Sequence, residues 1–285
     1  MKNNNVNILS AFANLVIGRQ TSLSNASKSH NTMNRMGEGL EEYVKDLFCN
    51  SFNLSGEDKI VKHSQHFSYT GNQNNPPDIM LRGGDAIEVK KIESQNSQLA
   101  LNSSYPKDVL HSDDPRINER CKSCEEWDEK DMFYIVGHIN GDGSAKSLEH
   151  MWMVQGKCYA ANREIYTEIS NTISYGINNI PDVEFAETNE LARINKVDPL
   201  GITYLRVRGM WGIDNPTSVF QYLSQSKDKM ANLLLLTEKY NSFPEESRNQ
   251  IEDLARDGKL IISDVKIKDP NNPADLLEAK LLSLE

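Results

Sequence analysis

Long apolar runs are absent from this chain. Its 285 residues contain no stretch of about 18 consecutive apolar residues, which excludes a transmembrane helix. The opening Met1-Lys2-Asn3-Asn4-Asn5-Val6-Asn7 lacks the apolar core and cleavage site of a signal peptide, so a cytoplasmic protein is expected. Cysteine is scarce: Cys49, Cys121, Cys124 and Cys158. Cys121-x-x-Cys124 is half of a zinc site, and no second such pair exists. His111, His138 or Cys158 would have to be brought near by the fold. Reduced cytosolic thiols are the preferred reading. A glycine-rich cofactor loop after an N-terminal strand is missing, as are internal repeats. Positive charge is also in short supply. Lys and Arg number 31 against 41 Asp and Glu, a net −10, which counts against a nucleic-acid partner. Residues 108–131 alone hold nine acids against four bases, so the excess can sit on a surface turned away from a polyanion.

What is present is an ordinary soluble composition, 38% hydrophobic and 25% charged. One segment carries unusual chemistry: Asn75-Pro76-Pro77-Asp78-Ile79-Met80-Leu81-Arg82-Gly83-Gly84-Asp85-Ala86-Ile87-Glu88-Val89-Lys90-Lys91. It is patterned as a β-hairpin around a Gly-Gly turn, yet it contains two acids and a lysine that a sheet does not welcome uncompensated. A two-residue loop would pair Asp78 with Val89 and split the charges between faces. A three-residue loop, Arg82-Gly83-Gly84, pairs Asp78 with Glu88 and puts Asp78, Glu88 and Lys90 on one face. Ile79, Leu81, Ile87 and Val89 then form the apolar face. The three-residue register is the one expected, with Gly84 in the left-handed position. Two adjacent carboxylates suit a hard cation, Mg²⁺ first, with the Val89 carbonyl as a third protein ligand. Lys90 would position or help deprotonate a water and offset phosphate charge. The chemistry expected is phosphodiester hydrolysis.

Gly37 to Phe48 reads as an amphipathic helix, with Leu40, Tyr43, Val44, Leu47 and Phe48 on its buried stripe. Glu41 lies at the edge of that stripe and Glu42 further round. The Asp78, Glu88 and Lys90 pattern resembles the PD-(D/E)xK nuclease superfamily. In that superfamily an acid on the preceding helix joins the site. Leu40-Glu41 looks like that pair, with Glu42 as the alternative. The wider sequence resembles the NgoPII-type family of type II restriction endonucleases. The resemblance rests on Gly39-Leu40-Glu41-Glu42-Tyr43, Asn75-Pro76-Pro77-Asp78 through Lys91, Leu101-Asn102-Ser103-Ser104-Tyr105-Pro106-Lys107 and Cys121-Lys122-Ser123-Cys124-Glu125-Glu126-Trp127. It implies a restriction-endonuclease-like α/β fold with a mixed central sheet flanked by helices. It also implies a Mg²⁺-dependent homodimer cutting short, GC-rich, palindromic double-stranded DNA within a restriction-modification system.

A single domain over 1–285 is expected. Within it 1–30 is a candidate N-terminal arm and 200–285 a candidate peripheral, DNA-recognition subregion. Arg206 and Arg208 alternate on an expected strand over 201–208 and share a face, suited to DNA. Asn102, Ser103, Ser104, Tyr105 and Lys107 follow the catalytic strand closely and suit backbone or groove contacts. Strands are expected near 60–69, 133–139, 149–154 and 259–265, and helices over 162–174, 244–255 and 273–282. Two other enzyme readings differ. A structure-specific repair nuclease would use the same hairpin. Asn75-Pro76-Pro77 echoes an amino-methyltransferase motif, but Asp78 replaces the aromatic that would stack on a flipped base. A DNA-binding protein that has lost activity would not be expected to keep all of Asp78, Glu88 and Lys90.

Overall fold

A computed structural model describes residues 6–23, 32–72, 75–94, 97–141, 146–181, 183–188 and 190–285. The strongest strand signal, Phe133 to Ile139, lies inside the strand Glu129–Asn140. This strand pairs on one side in parallel with Ala86–Ile92 and on the other antiparallel with Lys146–Gln155. Its apolar run is buried on both sides: Phe133 and Ile135 enter one core, Tyr134 and Val136 the other. That explains why no polar alternation marks it in the sequence. Around it the large mixed sheet runs, edge to edge, Ile261–Lys268, Leu276–Leu284, Ala231–Leu236, Lys146–Gln155, Glu129–Asn140, Ala86–Ile92, Asn75–Leu81 and Phe67–Asn72.

Helices Ile8–Gly18, Thr32–Cys49 and Glu245–Arg256 cover one face. The expected stripe of Leu40, Tyr43, Val44, Leu47 and Phe48 is buried there. Leu40 seats directly over Gly137, where a Cβ would come within 2.9 Å of its methyl groups. The absent side chain is what brings this helix down onto the sheet. The other face is covered by Leu99, Leu101, Ile117, Tyr159 and Phe220 from shorter segments. The result is the α/β architecture expected, a mixed sheet flanked by helices. Among the described residues no helix is long and apolar enough to cross a membrane.

Several elements differ from expectation. Residues 6–23 are not an arm: Ile8, Leu9, Phe12 and Leu15 are fully buried in the main core. The apolar density of residues 8–16 reflects burial on nearly all sides; residues 1–5 and 24–31 lie outside the described residues. The segment 200–285 is not peripheral as a whole, since Ala231–Leu236, Ile261–Lys268 and Leu276–Leu284 are strands of the large sheet. The last of these replaces the helix expected over 273–282. Leu, Ala, Glu and Lys favour helix locally, but pairing with Ala231–Leu236 and Ile261–Lys268 on its two edges overrides that weak preference. The 60–69 segment begins as the end of helix Gly56–His66 and becomes strand only at Phe67. Only Leu205–Val207 of the expected 201–208 strand forms.

Candidate active site

The hairpin register follows from three observations. Ile79 pairs with Ile87 and Met80 with Ala86, and the Leu81 N–H donates to the Asp85 carbonyl at 2.9 Å. The loop is therefore Arg82-Gly83-Gly84. Asp78 and Glu88 fall on one face, as expected. The left-handed residue is Gly83, at φ +66°, and not Gly84. The Gly84 N–H donates to the Leu81 carbonyl at 3.0 Å, so the turn places its positive φ at the third of four residues, the type II pattern. Buried Lys130 reinforces the turn, donating to the Gly84 carbonyl at 2.7 Å and pairing with Glu125 at 2.5 Å.

Beyond Ile79 the ladder with Ala86–Ile92 stops. Continued two residues, the register sets Pro77 against Val89. Proline has no N–H to give the Val89 carbonyl. The Val89 N–H donates instead to Asp78 Oδ2 at 2.6 Å. The strand end thus exchanges a backbone ladder bond for a carboxylate. On the outer side of Asp78, Gly71 closes tightly. A Cβ there would lie 2.4 Å from the Pro77 carbonyl oxygen and 3.2 Å from Asp78 Cα. Gly71 sits at a register shift between Thr70 and Asn72, a bulge that bends the edge strand around the site.

Glu88 is buried at 8% exposure. Its Oε1 pairs with Lys90 Nζ at 2.6 Å, and its Oε2 is buried with no hydrogen-bond partner among the described residues. Burial, then the charge of Glu88 and more weakly that of Glu41, push the Asp78 carboxyl well above the usual range against the pull of Lys90 and the Val89 N–H. Burial works against the Lys90 ammonium, but Glu88 and Asp78 outweigh it and hold its proton more tightly than usual. Lys90 stands here as a cation paired with Glu88 and beside Asp78. Glu41 is half-buried on its helix and its charge bears on both Asp78 and Lys90.

The alternative helix acid, Glu42, belongs elsewhere. Glu42, Asp46 and His63 bring ligand-type atoms within 4.8 Å of one another. The Lys59 ammonium already stands between them, 2.7 Å from Asp46 and 3.3 Å from Glu42. This is a self-neutralised network joining two helices.

The residues expected at DNA divide. Lys107 is 3% exposed, its Nζ 2.5 Å from Asp114 and 3.9 Å from the centre of the Tyr105 ring. Burial lowers its pKa. It is a core ion pair rather than a surface contact, because the Tyr134 hydroxyl clips its backbone, accepting from the Lys107 N–H at 2.6 Å and donating to its carbonyl at 3.1 Å. Ser104 is buried too, while Asn102 is exposed and Ser103 and Tyr105 are half-buried. Arg206 and Arg208 do project together: both reach Glu190, each at 2.5 Å, and both remain about half exposed. Cys121 packs its thiol on Met80 and Cys124 donates to the Cys121 carbonyl. Neither Gly71 nor the Tyr134 clip is marked by local pattern, since each depends on a neighbour from another strand or loop.

The family model described as NgoPII restriction endonuclease matches residues 6–268. The type II restriction enzyme NgoPII of Neisseria gonorrhoeae is 51% identical over 282 residues, covering 98% of this chain and 99% of that protein. No solved structure matches the chain.

Proposed function

This chain belongs to the NgoPII restriction endonuclease family, and we propose that it hydrolyses double-stranded DNA at a short, GC-rich palindrome, as a Mg²⁺-dependent cytoplasmic homodimer of a restriction-modification system. The observation that carries the reading is the meeting of Asp78 and Glu88 on one face beside Lys90, in the PD-(D/E)xK pattern. The donor set fits a hard divalent cation. Glu88 Oε2 is a buried carboxylate oxygen without a hydrogen-bond partner among the described residues, and burial and the charge of Glu88 oppose charging the Asp78 carboxyl. Asp78, Glu88 and the Val89 carbonyl would hold the ion, and Glu41 would add charge from the helix. The bound ion would supply the acidified water and the positive charge that phosphodiester hydrolysis requires. Lys90 would position or help deprotonate the attacking water and offset charge on the scissile phosphate. Arg206, Arg208, Asn102, Ser103 and Tyr105 supply contacts along the duplex. A homodimer follows from the two-fold symmetry of a palindrome.

Digestion of a sequenced plasmid with Mg²⁺, with and without EDTA, tests this reading. Discrete fragments with one repeated end sequence are expected, abolished by EDTA. Cutting confined to branched substrates would replace it with a structure-specific nuclease using the same hairpin.

A further inference from the structure

Helix Arg163–Asn178 carries its apolar row on the side turned away from the chain. None of its 16 residues is buried. Its inner side holds Tyr166, Ser170 and Ser174. The Tyr166 hydroxyl accepts from the Ala161 N–H at 3.0 Å, and Ser174 Oγ donates to the Leu191 carbonyl at 2.8 Å. Ile165, Ile169 and Ile173 face solvent, each more than two-fifths exposed. Spaced at i, i+4 and i+8, they form one continuous row. A helix of this length is marginal in water unless an apolar face packs against something. Here the β-branched row that would supply that packing points outward.

The exposure is regional. Of the eighteen large apolar side chains exposed among the described residues, eleven fall within 165–210. The remainder of this region is a small sheet of Glu184–Phe185, Ala192–Asn195 and Leu205–Val207. In the loop joining its last two strands, the Asp198 carboxylate accepts from the Leu200, Ile202 and Thr203 N–H groups at 3.1, 3.1 and 2.6 Å. Those bonds fix a loop on which Leu200 and Ile202 stand 80% and 76% exposed. At about 100 Å² each, the eleven side chains offer on the order of 1,000 Å², against about 800 Å² per partner in a stable complex. Apolar exposure on that scale marks an interaction surface.

The chemistry of the helix selects the occupant. Its charged side chains are Arg163, Glu164 and Glu168, and Arg163 is engaged by Asp113 at 2.9 Å. A phosphate backbone needs free cations and a membrane surface needs a basic flank, and this helix supplies neither. A second copy of the chain does fit. The isoleucine row reads the same from either end about Ile169. An antiparallel copy therefore sets Ile165 against Ile173 of the partner subunit and puts Ile169 at a two-fold axis, the isologous contact of a closed dimer. Rows spaced by four residues interdigitate when two such helices cross. In the small sheet Leu205 and Val207 share a face with Ala192 and Ile194, whereas Arg206 and Arg193 lie on the other. Covering the apolar side thus leaves the arginine side open to DNA.

We propose that helix Arg163–Asn178 packs antiparallel on its own copy about a two-fold axis at Ile169, with the Leu200 and Ile202 loop extending the contact, and that this is the homodimer interface. The inference rests on the homodimeric endonuclease reading above. Its test is sedimentation velocity and site cleavage by the wild type, Ile169→Glu and Ile169→Cys. The wild type should sediment as a dimer. Ile169→Glu should keep the wild-type circular dichroism spectrum, because the position is half exposed in one subunit. Its dimer should dissociate at least about a hundredfold more readily, since two carboxylates would be buried unpaired at the axis, and double-strand cleavage should fall in step at dilute enzyme. Ile169→Cys should form a covalent dimer on oxidation, because a residue on the axis meets its own copy; the wild type, with its four native cysteines, is the control. A dimeric Ile169→Glu, or an Ile169→Cys that does not cross-link, would overturn this interface while leaving the endonuclease standing. A wild type that stays monomeric even on its own DNA site would overturn both the interface and the homodimer.

Discussion

Replacement of Asp78 by Asn separates catalysis from folding. The Asn carbonyl oxygen can still accept the Val89 N–H that Asp78 Oδ2 now takes at 2.6 Å, so the strand end keeps its shape. What is lost is one of two anionic ligands. A bound cation contributes several kcal/mol to the transition state, at about 1.4 kcal/mol per tenfold in rate. Cleavage should therefore fall by roughly 10³-fold or more. Stability should move the other way in EDTA. The folded Asp78 carboxyl holds its proton more tightly than an unfolded one, through burial and the charge of Glu88. Stability is thus lost as pH rises from the ordinary carboxylate value, about 3.9, toward the raised folded value. A neutral Asn escapes that loss. Near neutral pH the variant should gain on the order of 1 kcal/mol, the scale of one poorly satisfied buried polar group. For a chain of this size that is about 2 °C in melting temperature. The gain should shrink toward zero near pH 4. Mg²⁺ should raise the melting temperature of the wild type and leave the variant unmoved. The assays are single-turnover cleavage and thermal melting across pH, with EDTA or Mg²⁺. A variant that still cuts, or one that melts lower than the wild type at every pH in EDTA, would refute the assignment of Asp78 to a cation site.

Gly71→Ala forces a methyl group to 2.4 Å from the Pro77 carbonyl, which is backbone and cannot swing aside. It should cost about 1–3 kcal/mol in stability and on the order of 10²-fold in cleavage through displacement of Asp78; unchanged single-turnover rates would show that this edge does not position the site. Lys107→Met leaves Asp114 charged and buried. A loss of about 3–5 kcal/mol, seen as a melting temperature lower by on the order of 10 °C, is expected. A variant that melts normally but binds DNA with a shallower salt dependence would restore Lys107 to the DNA surface. Asp46 is held below the usual carboxylate range, because hydrogen bonds from His63, Lys59 and Ser51 together outweigh the larger opposing effect of burial. Its stabilisation is complete above about pH 4 and disappears as pH falls through the lowered value. Asp46→Asn should be less stable than the wild type in denaturant at pH 7, with the gap narrowing as pH falls through the lowered value, and a gap that does not narrow in acid would contradict the ion network.

Local spacing determined the hairpin. Nine residues between Asp78 and Glu88, with glycine in the turn, admit only an odd loop if the charges are to share a face, and the three-residue loop formed. The stripe from Leu40 to Phe48 was legible for the same reason, since helical period is a property of neighbours along the chain. Which glycine took the left-handed position was not, because Lys130 and Glu125 grip the turn from another strand and loop. Local propensity also failed at Leu276–Leu284, where two partner strands outweighed helix-favouring residues. Lys107 read as a surface cation until Tyr134 and Asp114 enclosed it. The antiparallel pairing of Leu99–Asn102 with Trp211–Ile213 has no signature in either segment. Spacing along the chain thus decided which catalytic groups share a face. Burial, and pairing between residues far apart in sequence, decided which polar groups remain available to a partner, because both depend on contacts that exist only once the chain has folded.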